Sequence, residues 1–332
     1  MHTINRRLTP LFALLFLLLL GCDPLTPAAT PQVIIVTPVP SNTPTPTVTP
    51  SATWTPIPTP TVNLTPSATP YPCEEETGQV LRFDEFRSQI AGENLRYRVY
   101  VPPCYLETQR RYPYVILLHG ANYTETEWDD LGVDDAVDQG IRLGAIGPML
   151  VFMPFTGRIG NENSFPPDPS YESVMLDEFL PAIERNFCTW NDRDHRAIGG
   201  ISRGGFWAFS IALRHPDIFG IVGGHSAFFP DDLNDVPAPF NPLELALNSS
   251  FLPDANLRMY LDNGASDFAG INLELFSSRL SSRGIRHTYI INPVGDHTDE
   301  YWQSHVSEYV AFYGRDWPKT LSDLPSCLEP SP

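Results

Sequence analysis

Residues 196–206 read RAIGGISRGGF and place a serine at the centre of a G-x-S-x-G pattern that runs from Gly200 to Gly204. An apolar run precedes the pattern and a helix-like stretch, 206–214, follows it, so the sequence predicts a strand, a sharp turn and a helix. Such a turn forces small residues on both sides of the serine and leaves its hydroxyl exposed above a sheet. We therefore predict that Ser202 is a nucleophile. Because so short a pattern also arises by chance, the rest of the chain has to support it.

The chain around this turn alternates between apolar runs and helix-like stretches. Residues 95–101 alternate in polarity like a half-buried strand, whereas residues 114–118 are continuously apolar, which is typical of a central parallel strand. Further apolar runs lie at 149–153, 197–201, 220–223, 258–261 and 288–291, with helix-like stretches around 133–143, 170–187, 204–214, 268–282 and 299–313. This alternation predicts an α/β fold with a mostly parallel central sheet, mixed at its edge, and helices on both faces.

The amino terminus has the features of an export signal. Two arginines, Arg6 and Arg7, precede an apolar run at 11–20 that is too short to span a membrane. The run ends in LLGC, residues 19–22, which resembles a bacterial lipobox and implies cleavage after residue 21 and lipid attachment to Cys22. An ordinary cleaved signal is the alternative. We expect an exported, cell-surface lipoprotein that meets the membrane only through its lipid anchor.

Residues 22–72 are rich in Thr, Pro, Ser and Ala and carry almost no charge, so they cannot bury a core. We predict a disordered, partly polyproline-II spacer that holds a domain away from a membrane. The remaining residues, 73–332, suffice for one domain. The formal net charge of −18 argues against a nucleic-acid partner.

Four cysteines remain besides Cys22, namely Cys73, Cys104, Cys188 and Cys327. An even number in an exported chain favours two disulfides, and none of the four has the spacing of a metal site. Three pairings are possible and the sequence does not choose among them. A bond from Cys73 to Cys327 would tie the ends of the domain together, which would leave Cys104 to pair with Cys188.

A serine nucleophile needs a histidine as its base and a carboxylate behind the histidine. In hydrolases of this architecture the order is Ser, Asp or Glu, then His, each on a loop at the carboxyl end of a strand. Two predicted strands run into such loops, DNGASD at 262–267 and NPVGDH at 292–297. We predict His297 as the base, with His225 as its rival, and Asp267 as the acid, with Asp262 and Asp296 as the alternatives.

The same architecture predicts where the oxyanion of the reaction would bind. The loop after the strand at 114–118 supplies one backbone N–H and the residue after the nucleophile supplies the other. We therefore assign the oxyanion hole to the N–H groups of Ala121 and Arg203. His119, two residues before Ala121, is more simply explained as a brace for this loop than as a catalytic residue.

These motifs together resemble the esterase D-like family, which includes S-formylglutathione hydrolases, feruloyl and acetyl xylan esterases, enterochelin esterases and mycolyltransferases. The resemblance rests on the nucleophile region at 196–219, the preceding helix at 171–184, the oxyanion loop at 119–120, the acid loop at 262–267 and the histidine loop at 295–297 with Trp302. It covers about residues 90–313. It implies an α/β-hydrolase fold with Ser202, Asp267 and His297 as the catalytic triad. Arg203 departs from the family, in which Met or Gln often follows the serine.

The resemblance implies a serine carboxylesterase that works through an acyl-serine and needs no metal or organic cofactor. An exported location favours small-molecule or carbohydrate esters of the feruloyl or acetyl type. Two loops are expected to set specificity, 155–171 and 227–256, although the phenylalanines of the second also suit an ordinary core. Asn161 and Trp302 are the candidate substrate-binding residues. An acyltransferase with the same triad is the main alternative, and a non-catalytic surface-binding lipoprotein is the other.

Overall fold

The computed structural model describes residues 71–328 and the backbone of residues 32–35. The predicted signal sequence, the lipidation candidate Cys22 and most of the predicted spacer lie outside the described residues. The strands are β1 (Gln32–Ile35), β2 (Gln79–Phe83), β3 (Tyr97–Val101), β4 (Tyr114–Leu118), β5 (Leu150–Pro154), β6 (Arg196–Ile201), β7 (Ile221–His225), β8 (Arg258–Gly264) and β9 (Thr288–Asn292).

These described strands form one sheet in the order β1-β9-β8-β7-β6-β4-β5-β3-β2. The six strands from β9 to β5 are mutually parallel, whereas β1, β2 and β3 pair antiparallel at the two edges. The prediction of a mostly parallel sheet with a mixed edge is therefore confirmed. Parallel strands bring their carboxyl ends to one side of a sheet, so β6, β8 and β9 deliver their loops to the same edge.

The α-helices are α1 (Tyr105–Thr108), α2 (Glu127–Asp130), α3 (Val133–Arg142), α4 (Tyr171–Ser173), α5 (Leu180–Asn186), α6 (Arg203–Arg214), α7 (Pro242–Asn248), α8 (Gly270–Ser282) and α9 (Asp299–Gly314). A π-helical stretch, Val174–Phe179, joins α4 to α5. None of the helices in the described part of the chain is long and apolar enough to cross a membrane.

Helices cover both faces of the sheet and create two apolar cores. Residues of α6, α7 and α8 pack in one core, and residues of α3 and α9 pack in the other. Strand β4 is buried along its whole length and contributes side chains to both cores. Ile116 belongs to the first core and Leu117 to the second. A strand buried on both faces reads as a continuous apolar run, which is why β4 was predictable from the sequence.

Two disulfides close the domain, but in a different pairing from the one expected. Cys73 bonds to Cys104, and Cys188 bonds to Cys327. The antiparallel pairing of Gln79 with Val101 brings the segment before β2 beside the segment after β3, which explains the first bond.

The second bond follows from the path of the chain's last described residues. The Cys327 N–H donates to the Gln109 carbonyl at 2.8 Å, and the Tyr112 N–H donates to the Cys188 carbonyl at 2.9 Å. The segment 109–112 thus lies between the two cysteines and holds both. These two main-chain hydrogen bonds form only in the folded protein, so the sequence alone could not predict which cysteines pair.

Several elements arise where the sequence predicts none, among them two strands and one helix of the loop at 227–256. Strand β2 extends the sheet beyond β3, and α7 forms within the loop at 227–256. Strand β1 lies inside the predicted spacer and pairs with β9. Its sequence, QVII, is rich in β-branched residues, which favour strands.

Candidate active site

Ser202 lies in a sharp turn between β6 and α6. Its backbone has φ +52° and ψ −114°, a conformation that costs a non-glycine residue on the order of 1–3 kcal/mol. The Ser202 N–H donates to the His225 carbonyl at 3.1 Å, and the Ser202 carbonyl accepts from the Phe228 N–H at 3.0 Å. These main-chain bonds fix the strained turn at the carboxyl end of β6.

The glycines of the pattern allow α6 to pack directly on the sheet. A Cβ on Gly200 would lie 2.4 Å from the Gly204 carbonyl carbon, and a Cβ on Gly204 would lie 2.3 Å from the Leu118 carbonyl oxygen. Both would clash with main chain, which cannot move aside. The first turn of α6 therefore abuts the end of β4 as well as β6.

His297 and Asp267 are hydrogen bonded to each other. His297 Nδ1–H donates to Asp267 Oδ1 at 2.9 Å, and the same oxygen accepts the Ala269 N–H at 2.8 Å. Asp267 is buried, so its charge is directed at the imidazole rather than at solvent. With Nδ1 facing the carboxylate, Nε2 is left to take up a proton, as a general base requires.

The loops that carry these two residues are fastened to each other. The Ala265 N–H donates to the Asn292 carbonyl at 2.8 Å, and the Ser266 N–H donates to the Gly295 carbonyl at 3.0 Å. Asp296, an alternative acid, is exposed and accepts the His297 backbone N–H through Oδ1 at 2.8 Å. It therefore shapes the histidine loop and does not contact the ring nitrogens.

Trp302 connects His297 to the turn that holds Ser202. Its ring stands edge-on to the His297 ring with centroids 5.1 Å apart, and its Nε1–H donates to Ser226 Oγ at 3.0 Å. Ser226 follows His225, whose carbonyl holds the Ser202 N–H. Trp302 is only 2% exposed, so it positions His297 and has little surface to offer a substrate.

The rival pair, His225 and Asp262, is fully buried beneath the site. His225 Nδ1–H donates to Asp262 Oδ1 at 2.9 Å, and His225 Nε2 lies 2.9 Å from the Tyr313 hydroxyl. Asp262 Oδ2 accepts from the hydroxyls of Tyr301 and Tyr309 at 2.6 and 2.9 Å. Burial, together with the charge of Asp262, raises the pKa of Tyr301 and Tyr309 well above the usual range of a tyrosine. Every polar side-chain atom of this pair has a hydrogen-bond partner within the protein, and neither residue is accessible to a substrate.

The predicted oxyanion donors belong to adjoining segments of the chain. Because Gly204 packs on the carbonyls of Leu118 and His119, the start of α6 adjoins the loop that carries Ala121. Among the described residues, no acceptor takes the backbone N–H of Ala121 or of Arg203. The preceding N–H, that of Gly120, is taken by Glu127 Oε2 at 2.7 Å. Both N–H groups are therefore free of an acceptor in the described part of the chain, and their role as oxyanion donors stays a prediction.

The geometry and the comparison with known proteins agree. A family model described as "Putative esterase" matches residues 88–313, which include the serine turn and the acid and histidine loops. The chain belongs to this esterase family. The esterase part of the sequence resemblance is thereby confirmed.

The chain is also similar to segments of two longer curated proteins. An endo-1,4-beta-xylanase/feruloyl esterase of Xylanibacter ruminicola is 32% identical over 164 residues, 46% of this chain and 22% of that protein. An esterase of Mycobacterium tuberculosis is 31% identical over 152 residues, 44% of this chain and 32% of that protein. The chain thus spans less than a third of the length of these curated relatives.

Solved structures give the same fold. A ferulic acid esterase superimposes with a TM-score of 0.64 at 26% identity, covering 72% of this chain and 98% of that one. The S-formylglutathione hydrolase of Staphylococcus aureus superimposes with a TM-score of 0.61 at 20% identity, covering 71% and 98%. The predicted α/β-hydrolase fold is confirmed.

In this member of the esterase family, His119 braces the oxyanion loop. Its Nδ1–H donates to the Gly120 carbonyl at 2.7 Å, and its Nε2 accepts the Thr156 N–H at 2.9 Å. Burial lowers the pKa of His119 to about 4, so the ring is neutral at physiological pH. A neutral imidazole donates at one nitrogen and accepts at the other, and His119 does so through Nδ1 and Nε2 respectively.

Glu127 is a second support of the oxyanion loop, and sequence reasoning missed it. The side chain is 2% exposed, and its Oε1 has no hydrogen-bond partner among the described residues. Burial raises the pKa of Glu127 to about 8, helped by the charges of Asp299 and Asp130 and opposed by the Gly120 N–H. No local motif signals this role, because it depends on how α2 packs against the loop.

The loop at 155–171 is tied to α6 by side chains of the first helical turns. The Gly160 carbonyl accepts Arg203 Nε–H at 3.0 Å and Trp207 Nε1–H at 2.6 Å. Asn161, the predicted substrate-binding residue of this loop, is exposed beside that anchor. Its contact with a substrate stays a prediction.

Two exposed phenylalanines flank the catalytic histidine. Phe268 is 60% exposed and its ring centroid lies 4.3 Å from that of His297, while Phe228 is 39% exposed and 6.2 Å from Phe268. Within the loop at 227–256, Phe229 is buried and Phe240 stacks on Phe165, so those rings are core as the alternative reading expected. Phe268 was missed, although it directly follows Asp267.

Proposed function

We propose that this protein is a serine carboxylesterase that works through an acyl-serine intermediate. The observation that carries the proposal is the Asp267–His297 hydrogen bond, made at the same sheet edge that presents Ser202 in a strained turn. The esterase family and the serine hydrolases of the same fold support it.

The proposed reaction uses each group in turn. Ser202 Oγ attacks the ester carbonyl while His297 Nε2 takes the hydroxyl proton, and Asp267 stabilises the imidazolium that results. The N–H groups of Ala121 and Arg203 hold the oxyanion of the tetrahedral intermediate. His297 then gives its proton to the departing alkoxide, and an ester of Ser202 remains. Water, deprotonated by His297, attacks this ester and releases the acid.

The proposed substrate is a carbohydrate-linked ester with an aromatic acyl group, of the feruloyl type. Exposed aromatic rings beside a catalytic histidine are suited to stack on another ring, and Phe228 and Phe268 occupy that position. One relative is named a feruloyl esterase and one similar structure a ferulic acid esterase, and both names favour this class of substrate. The acyl group of an acetyl ester has no ring that could stack on Phe228 or Phe268.

We place the proposed activity outside the cytoplasm, with Cys22 as the lipid anchor. Two disulfides within the described domain support an oxidising location, since such bonds are rare in reducing compartments.

Purified protein is expected to release ferulic acid from a feruloyl arabinoside, and a brief reaction stopped with acid should leave a feruloyl group on the peptide that contains Ser202. Mass spectrometry of the digested protein detects that adduct. The Ser202→Ala variant should neither release ferulic acid nor form the adduct, and it should keep the unfolding temperature of the wild type. Undiminished hydrolysis by this variant, or an adduct on another residue, would overturn the proposal.

A further inference from the structure

The side chain of Arg203 has more hydrogen-bonding capacity than the protein uses. Its Nε–H donates to the Gly160 carbonyl at 3.0 Å and its Nη2 donates to the Glu162 carbonyl at 2.8 Å. A guanidinium has five N–H donors, so these two bonds leave three without a partner among the described residues. The unused donors include both of those on Nη1.

Arg203 also lacks a neutralising charge. No carboxylate among the described residues lies within salt-bridge distance of it, whereas Arg214, at the other end of α6, pairs with Glu172. Its guanidinium carbon lies instead over the rings of Phe206 and Trp207, 4.6 and 5.1 Å from their centroids. This burial lowers the pKa of Arg203 to about 10, which still leaves it charged at physiological pH.

A partly desolvated cation without an anionic partner in the protein is unfavourable, and a negatively charged ligand would remove that cost. In this protein such a cation immediately follows the nucleophile, and its own backbone N–H belongs to the proposed oxyanion hole. The two carbonyls and two rings hold the guanidinium plane in one orientation, so its remaining donors are preorganised. A planar fork of N–H donors matches a carboxylate, which it binds through two parallel hydrogen bonds.

We propose that Arg203 recognises a carboxylate on the substrate, so that the preferred ester carries a negative charge close to the bond that is cleaved. This inference rests on the proposed esterase activity and adds a specificity-determining residue to it. The carboxylate can belong to the acyl half, as in a half-ester of a dicarboxylic acid, or to the alcohol half, as in an ester of an acidic sugar. The same chemistry serves both.

Two pairs of substrates distinguish these sources. For the acyl half, p-nitrophenyl hemiadipate is compared with p-nitrophenyl hexanoate, and for the alcohol half 3-acetoxybenzoate is compared with 3-acetoxybenzamide. The measured quantity is the ratio of kcat/KM for the charged ester to that for its neutral partner. Because both members of a pair use the same oxyanion hole, the ratio cancels any change there.

We expect this ratio to fall about tenfold from wild type to Arg203→Gln in one of the two pairs, the size of one lost charge-assisted hydrogen bond. Arg203→Lys, which keeps the charge but not the fork, should give an intermediate ratio. Arg158→Gln is the matched control, because it removes one positive charge from an exposed side chain of the loop at 155–171, where Arg158 pairs with Glu162. Its ratio should equal that of wild type.

An unchanged ratio in Arg203→Gln for both pairs would overturn the inference while leaving the esterase activity in place. An equal fall in Arg158→Gln would also overturn it, because positive charge in this region, rather than the fork of Arg203, would then set the preference. A wild-type protein that hydrolyses none of the four esters, nor the feruloyl arabinoside, would overturn the proposed function and this inference with it.

Discussion

His225 donates a hydrogen bond to Asp262 over 2.9 Å in the interior of the protein, the same distance that joins His297 to Asp267 at the edge of the sheet. The two pairs are chemically alike and differ only in their surroundings. One is sealed among three tyrosines, and the other lies at the sheet edge that carries the strained turn of Ser202. Their roles should therefore separate cleanly when each acid is changed in the same way.

Asp267→Asn should lower kcat by about 10³–10⁴-fold, because an amide favours the wrong tautomer of His297, and it should change the unfolding free energy little. Asp262→Asn should instead cost about 3 kcal/mol of stability, since it breaks a buried pair that also receives two tyrosine hydroxyls. Steady-state kinetics and urea unfolding of both variants test this contrast. A large loss of stability in Asp267→Asn with normal kcat in the folded fraction would reverse the assignment.

The sequence predicted His225 as a rival base and Asp262 as an alternative acid, but not the two as one structural unit. Sequence places His225 and Asp262 at strand ends, yet only the register of β7 against β8 sets them side by side. The tyrosines that seal the pair come from α9, far along the chain. Local patterns report strands and turns, whereas such packing depends on contacts between distant segments.

Phe228→Ala should raise KM for feruloyl esters about fivefold to tenfold, as expected when one ring–ring contact and its apolar area are lost. KM for acetyl esters of the same alcohol should not change. Phe251→Ala is the control, because Phe251 lies in the same loop and is similarly exposed, at 46%. Equal effects of the two substitutions on feruloyl esters would argue against a ring-binding site at Phe228.

The two disulfides should differ in their contributions to stability. The Cys188–Cys327 bond spans 139 residues and the Cys73–Cys104 bond spans 31. Because a longer loop loses more entropy when it is closed in the unfolded chain, the first should contribute about 5 kcal/mol and the second about 4. Paired Cys→Ser variants, compared by urea unfolding without reductant, measure the difference. A larger loss from the shorter loop would contradict this ordering.

The number of disulfides was predictable from the sequence, but their pairing was not. Four cysteines besides Cys22, in a chain predicted to be exported, were sufficient to predict two disulfides. Their partners were not predictable, because the segment at 109–112 that gathers Cys188 and Cys327 pairs with both only in the folded protein. The serine turn was predictable for the opposite reason, since its steric demand for Gly200 and Gly204 is local.

Glu127 should make both activity and stability sensitive to alkaline pH. Its pKa of about 8 lies above the value of 4.5 that it has when unfolded, so between these values the folded protein binds a proton that the unfolded chain has released. The stabilisation is complete below pH 4.5 and is lost as the pH rises through 8. Above pH 8 the ionised carboxylate also adds negative charge beside the loop that holds the developing oxyanion, which should lower kcat.

Glu127→Gln keeps an acceptor for the Gly120 N–H but cannot ionise. The variant should therefore lose the decline of kcat with an apparent pKa near 8 and should be more stable than wild type at pH 9, with little advantage at pH 5. Glu127→Ala, which removes the acceptor, should lower kcat at every pH with a smaller effect on KM, because the Ala121 N–H is no longer held in place. The kcat–pH profiles and urea unfolding at pH 5 and 9 measure these effects. Superimposable profiles for wild type and Glu127→Gln would show that the carboxyl group does not influence the oxyanion hole.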